Sequence, residues 1–371
     1  LAFLLFTTSY YYMRMQFTRI TPFRNILGRS GPRSCLPCAF STNVDTTRVG
    51  SSVENCTLKT WTKFGSNTLF APVYTPFKSE NGDDVNYDII PSQASYLHSQ
   101  GFNALFICGT NGESYSCTLT ERKLILEEWV RTSEVSSGDM RIITNISCHS
   151  LHESVELAKH ASSLNADVAV AYMPPGFFKP VGDEAVASLL ATIGQNVPST
   201  GVFFYYLPGM SGVSCNTANV LRKANQLSPN IVGAKFTDSE LGDMHEAISD
   251  GFDVMVGNGD ELLLSSLVLG ASGGFSVPGM MGGLEPLLKV RDCFHKGDFE
   301  EAAEWQAQAA KQFRFLKSQP LGFMSSGKAL AGQVTGISMG PVRPPLQAIS
   351  SQKELTELAA SFEKIMERKA I

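Results

Sequence analysis

No stretch of this chain is both long and apolar enough to span a bilayer. The most apolar run, residues 1–13 (LAFLLFTTSYYYM), falls short of the roughly 20 residues that a transmembrane helix needs. Charge is also scarce: 18% of the 371 residues are Asp, Glu, Lys or Arg, and the net charge is -5. Without a clustered basic face, neither nucleic acid nor a membrane is an expected partner. The eight cysteines (Cys35, Cys38, Cys56, Cys108, Cys117, Cys148, Cys215 and Cys293) lack the dense, regular spacing of a secreted disulfide framework. They read as free thiols in a reducing compartment. Cys35-x-x-Cys38 has no second pair at metal-ligand spacing, so no metal site is expected. No G-x-G-x-x-G follows the first strand-like run, which weighs against an open dinucleotide-binding sheet.

The first residues stand apart from the rest. From Met13 onward the chain carries Arg14, Arg19, Arg24, Arg29 and Arg33, with no acid before Asp45. An Arg-rich, acid-poor leader reads as an organellar transit peptide, or else as disordered or translated upstream sequence. Residues 1–64 are therefore set aside as a leader. The expected location is cytoplasmic, or mitochondrial or plastid if the transit peptide is real.

Short apolar runs then alternate with amphipathic stretches. Strands are predicted over residues 68–74, 103–108, 142–147, 168–173, 201–206, 231–236, 254–257 and 273–277. Helices are predicted between them, one opened by the capping box Thr118-Leu-Thr-Glu121. The strands are continuously apolar and do not alternate, which suits parallel strands buried on both faces. Eight such units favour closure into an α/β (β/α)8 TIM barrel over residues 65–296. Residues 297–371 form a C-terminal helical appendage in this reading.

In such barrels the reacting groups sit where strands end. The second strand ends in Gly109-Thr110-Asn111-Gly112-Glu113, a turn whose N–H groups can converge on an anion. The fifth ends in Tyr205-Tyr206-Leu-Pro208, and a phenol there can pass a proton. The sixth ends in Gly233-Ala-Lys235-Phe. A lysine at that place either snorkels to the rim or lies desolvated, with a lowered pKa and a nucleophilic amine. The seventh is followed by Gly259-Asp260-Glu261, acids suited to sugar hydroxyls unless Asp260 caps the next helix. The eighth reaches Ser276.

Together these motifs resemble the N-acetylneuraminate lyase and dihydrodipicolinate synthase family of class I aldolase barrels, over about residues 67–347. The turn G-[ST]-[TS]-G-E, the Y-x-[IV]-P element and the strand-6 lysine occur in order. The resemblance implies that Lys235 forms a Schiff base with the 2-keto carbon and that Tyr205 shuttles the proton. It implies that Thr110, Asn111 and Gly112 hold the substrate carboxylate, with Asp260, Glu261 and Ser276 binding the rest of the substrate. The protonated imine is itself the electron sink, so no cofactor is expected. Met210 stands where the synthases carry a carboxylate-gripping arginine, which points to the lyase branch: N-acetylneuraminate cleaved to N-acetylmannosamine and pyruvate. Asn111 replaces a hydroxyl residue, Phe177 stands at a relay tyrosine of the synthases, and Val277 at a serine of the lyases. Another pyruvate-dependent aldolase, or an inactive member, are the alternatives. Family members are commonly homotetramers, and the same assembly is expected here.

Overall fold

The computed structural model describes residues 61–78, 82–164 and 167–367. The expected leader lies outside the described residues up to residue 60. Eight parallel strands close into a barrel in chain order: β1 Leu69–Ala71, β2 Ala104–Ile107, β3 Arg141–Asn145, β4 Val168–Tyr172, β5 Val202–Tyr206, β6 Ile231–Phe236, β7 Asp253–Val256 and β8 Gly274–Phe275. Each predicted strand is present. The first and last are shorter than their apolar runs, because Val73, Tyr74 and Val277 are buried in loops and not in the ladder.

The outer helices are α1 Ile90–Gln100, α2 Leu119–Arg131, α3 Ser133–Ser136, α4 Leu151–Ser163, α5 Gly182–Asn196, α6 Pro208–Ser211, α7 Thr217–Leu227, α8 Leu241–Ser249, α9 Gly259–Val268 and α10 Glu285–Lys296. The appendage adds α11 Phe299–Lys317, α12 Gly322–Thr335 and α13 Gln352–Met366. The Thr118–Glu121 capping box opens α2 as predicted, each partner's side chain bonding the other's backbone amide. The two-residue side-chain period sends one set of strand residues outward to the helices and the other inward. The outward core includes Ala234, Phe236 and Val256; the inward core includes Phe70, Phe106, Phe203, Tyr205 and Phe275.

Residues 61–64 pack against the barrel. Phe64 is buried within the inner core, edge-on to Phe70. Trp61 packs edge-on to Phe203, and the Arg141 guanidinium lies over both the Trp61 and Phe64 rings. The Trp61 indole and the Phe64 amide both donate to Asp253 Oδ2, each at 2.9 Å. Asp253 and Arg141 stand at the N-terminal ends of β7 and β3, so this segment closes the barrel floor, opposite the strand ends that carry the chemistry. Phe64→Ala is expected to cost about 3–5 kcal/mol of stability, the usual loss for a truncated core aromatic. Denaturant unfolding checks this; a change under about 1 kcal/mol would show that the plug is ornamental.

Candidate active site

Lys235 and Tyr205 are direct register partners on β6 and β5. Adjacent parallel strands therefore deliver both side chains to the same end of the barrel interior. Lys235 does not snorkel: it is 5% exposed. Its Nζ lies 3.7 Å from the Phe106 ring centroid, 4.1 Å from that of Phe275 and 4.4 Å from that of Tyr205. It makes no ion pair among the described residues. The rings attract a cation by about 0.5–2 kcal/mol each. Taking an unpaired ammonium out of water costs several kcal/mol more. Desolvation wins, and the amine's pKa falls well below its ordinary value of 10.5. Burial thus favours the uncharged, nucleophilic form of the amine.

The Tyr205 phenol sits 3.0 Å from Thr110 Oγ1. Burial pushes its pKa up to about 12, only partly offset by the Thr110 bond, so the ring stays a neutral phenol. Thr110 opens a turn with an unusual backbone. Cys108 and Glu113, on either side of it, have φ of +53° and +51° without being glycine. Each left-handed residue costs about 1–3 kcal/mol and persists only where its surroundings enforce it. Hydrogen bonds from three directions do so here. Asn145 Nδ2 donates to the Cys108 carbonyl at 2.8 Å, Thr75 Oγ1 donates to the Gly112 carbonyl at 2.7 Å, and the Glu113 carboxylate is gripped from the appendage. A Cβ at Gly112 would lie 3.0 Å from Cys108 Cα, a tight approach that favours glycine there. The amides of Thr110, Asn111 and Gly112 donate to no protein acceptor among the described residues, and Asn111 Nδ2 is buried without a partner. Unsatisfied donors gathered beside a nucleophile suit a carboxylate.

Asp260 and Ser276 form a second cluster. Ser276 Oγ donates to Asp260 Oδ1 at 2.7 Å, and the Val277 amide donates to Oδ2 at 2.8 Å. Asp260 thus ties the first turn of α9 to the loop after β8. It is not the helix cap: α9 begins at Gly259, with Asn258 in the cap position. Burial pushes its pKa up to about 7, against those two hydrogen bonds. Glu261 turns toward α11 and pairs with Lys317 at 3.4 Å. The structure therefore unites Lys235, Tyr205, Thr110, Asn111 and Gly112, while Asp260 and Ser276 bond to each other and Glu261 to the appendage.

A cavity of about 500 Å³ is lined by Tyr115, His149, Met173, Phe177, Phe178 and Met210 among others. Tyr115 and His149 pack ring to ring at 5.4 Å. Neither was singled out from the sequence, nor was Thr237, two residues beyond Lys235, whose buried hydroxyl lacks a partner among the described residues. A Cβ at Gly257 would lie 1.9 Å from that hydroxyl, so glycine is required beside it. Strand alternation could have found Thr237, since it shares the inward face of Lys235; nothing local marks Tyr115 or His149.

The profile of the dihydrodipicolinate synthetase family matches residues 65–365. The N-acetylneuraminate lyase of Rattus norvegicus is 32% identical over 291 residues, 76% of this chain and 88% of that protein. The human N-acetylneuraminate lyase is 32% identical over 298 residues, 78% of this chain and 89% of that one. Among solved structures, the Proteus mirabilis N-acetylneuraminate lyase superposes with a TM-score of 0.73 at 26% identity, covering 82% of this chain and 99% of that chain. The DHDPS of Cyanidioschyzon merolae, solved with lysine bound, superposes with a TM-score of 0.71 at 26% identity, covering 82% and 98%. Its profile match, its relatives and its closed barrel agree: the chain belongs to the dihydrodipicolinate synthetase family and is a carbon–carbon lyase of the class I aldolase type.

Proposed function

We propose that this protein cleaves N-acetylneuraminate to N-acetylmannosamine and pyruvate, reversibly, through a Schiff base on Lys235. The observation that carries the chemistry is the desolvated amine of Lys235 beside the Tyr205–Thr110 pair. The free amine attacks the 2-keto carbon, and water leaves to give a protonated imine. Turn 110–112 holds the carboxylate through its spare donors. Tyr205 takes the proton from the C4 hydroxyl while its own passes to Thr110 or solvent. The C3–C4 electrons then flow into the iminium as the bond breaks, releasing the aldehyde. Protonation of the enamine at C3 and hydrolysis of the imine release pyruvate and restore the amine.

Two observations favour the lyase substrate over that of the synthases. The cavity wall presents exposed Met210, Phe177 and Phe178, none of which can pair with a second carboxylate. Relatives at 32% identity are named N-acetylneuraminate lyases. One observation favours a second reading, a pyruvate-dependent aldolase with a different aldehyde. Both Asp260 oxygens are already bonded to Ser276 and Val277, which leaves that acid little to offer a polyol chain. Assembly as a homotetramer belongs to the same proposal, and light scattering on the purified protein checks it.

The deciding assay is pyruvate release from N-acetylneuraminate by the full chain, with equimolar N-acetylmannosamine as co-product. Condensation of pyruvate with other aldehydes, but never with N-acetylmannosamine, would move the assignment to the second reading.

A further inference from the structure

The Glu113 carboxylate is hydrogen-bonded to neither Lys235 nor Tyr205, yet both of its oxygens are held. Its Oε1 accepts from Lys328 Nζ at 2.6 Å, and its Oε2 from the Arg343 amide at 2.7 Å. The side chains of Glu113 and Lys328 are each 1% exposed. Both donors come from the C-terminal appendage, more than 200 residues away in sequence. The appendage is itself anchored. Lys328 Nζ lies 4.0 Å from the Phe77 ring centroid and the Arg343 guanidinium 4.2 Å from the same ring. The Arg343 guanidinium also grips both Glu121 oxygens, at 2.9 and 2.6 Å, and the carbonyls of Gly82, Ser116 and Asp83 at 2.6, 2.8 and 2.8 Å.

Resting on the carboxylate role given above to turn 110–112, we propose that Glu113 is a positioning residue. With Lys328 and Arg343 it holds that turn in the shape that receives the substrate's carboxylate. Glu113 follows Gly112 directly and carries a left-handed φ of +51°, so its carboxylate is the lever by which the appendage fixes the turn. Charge points the same way. A bare carboxylate behind a carboxylate-binding turn would repel the substrate across a few ångströms of low-dielectric protein. Lys328 cancels that field. For stability alone, an apolar pair of similar volume serves as well as a buried ion pair. The bonds from Glu113 therefore have a geometric use that apolar packing cannot supply.

The test separates carboxylate recognition from amine chemistry in the full-length protein. Borohydride reduction traps a Schiff base on Lys235 with either pyruvate or acetone, and acetone carries no carboxylate. In Glu113→Gln/Lys328→Met, which leaves no buried charge unpaired, the half-saturating pyruvate concentration is expected to rise tenfold or more. The concentration dependence with acetone is expected to stay as in the wild type. Lys328→Arg, which keeps the charge and the donors, is expected to stay within about threefold for both ketones. If the double variant does not fold, Glu113→Gln alone reads the same pyruvate-to-acetone ratio. An unchanged pyruvate dependence overturns the proposal. Equal shifts for both ketones also overturn it, because they indicate general disturbance of the barrel. A wild type that traps neither ketone would instead refute the Schiff-base reading itself, and the positioning role would fall with it.

Discussion

Replacing Lys235 by methionine is expected to abolish turnover and, at neutral pH, to make the protein more stable. Turnover falls because the nucleophile is gone; a loss of about 10⁴-fold or more is the usual scale for removing one. Stability rises because the lysine is held against its own solvation. Its folded-state pKa lies well below the ordinary 10.5. Below pH 10.5 the unfolded chain takes up a proton that the barrel interior refuses. Folding is therefore penalised progressively as pH falls from that value toward the lowered pKa, and by a constant amount beneath it. Methionine fills the same space among Phe106, Tyr205 and Phe275 without that penalty. A gain of about 1–2 kcal/mol at pH 7 is expected, shrinking as pH approaches 10.5. Thermal melts of both proteins across that range measure it. A methionine variant no more stable than the wild type at any pH would mean that Lys235 is not strained by desolvation.

Tyr205→Phe should separate two steps that Lys235→Met removes together. Phenylalanine keeps the ring that packs edge-on to Phe106, so Lys235 keeps its apolar surroundings. Only the hydroxyl facing Thr110 is lost. Turnover is expected to fall by about 10²–10⁴-fold, the range of general acid–base assistance. Schiff-base trapping with pyruvate should survive, because imine formation needs the amine more than the phenol. Because burial holds the phenol near 12, its ionisation should leave no alkaline arm in the wild-type profile between pH 7 and about pH 10. Turnover within a factor of about three of wild type would remove Tyr205 from the proton path.

Both outcomes concern residues that were legible in the sequence, and the reason is local. A lysine ending an apolar strand, a tyrosine on the strand before it and a G-T-N-G turn each carry their signal within a few residues. Strand pairing then brings them together without further information. The eight strands were legible for the same reason. What was not legible depends on distance or on loops. The grip of Lys328 on Glu113 spans 215 residues and leaves no local pattern. The tie between Asp260, Ser276 and Val277 joins the start of α9 to the loop after β8, so an acid that looked available for substrate is already bonded. Trp61 and Phe64, ahead of the first strand, pack at the floor of the barrel through contacts to β3 and β7 that no local pattern marks. The two short helices, α3 and α6, span four residues each, too few for periodicity to reveal.

The central claim is covalent chemistry at Lys235, and peptide mass spectrometry after borohydride reduction in the presence of pyruvate tests it most directly. One reduced pyruvyl group is expected on the peptide carrying Lys235, absent from Lys235→Met and absent without pyruvate. Label on any other lysine, or none at all in an active preparation, would contradict it.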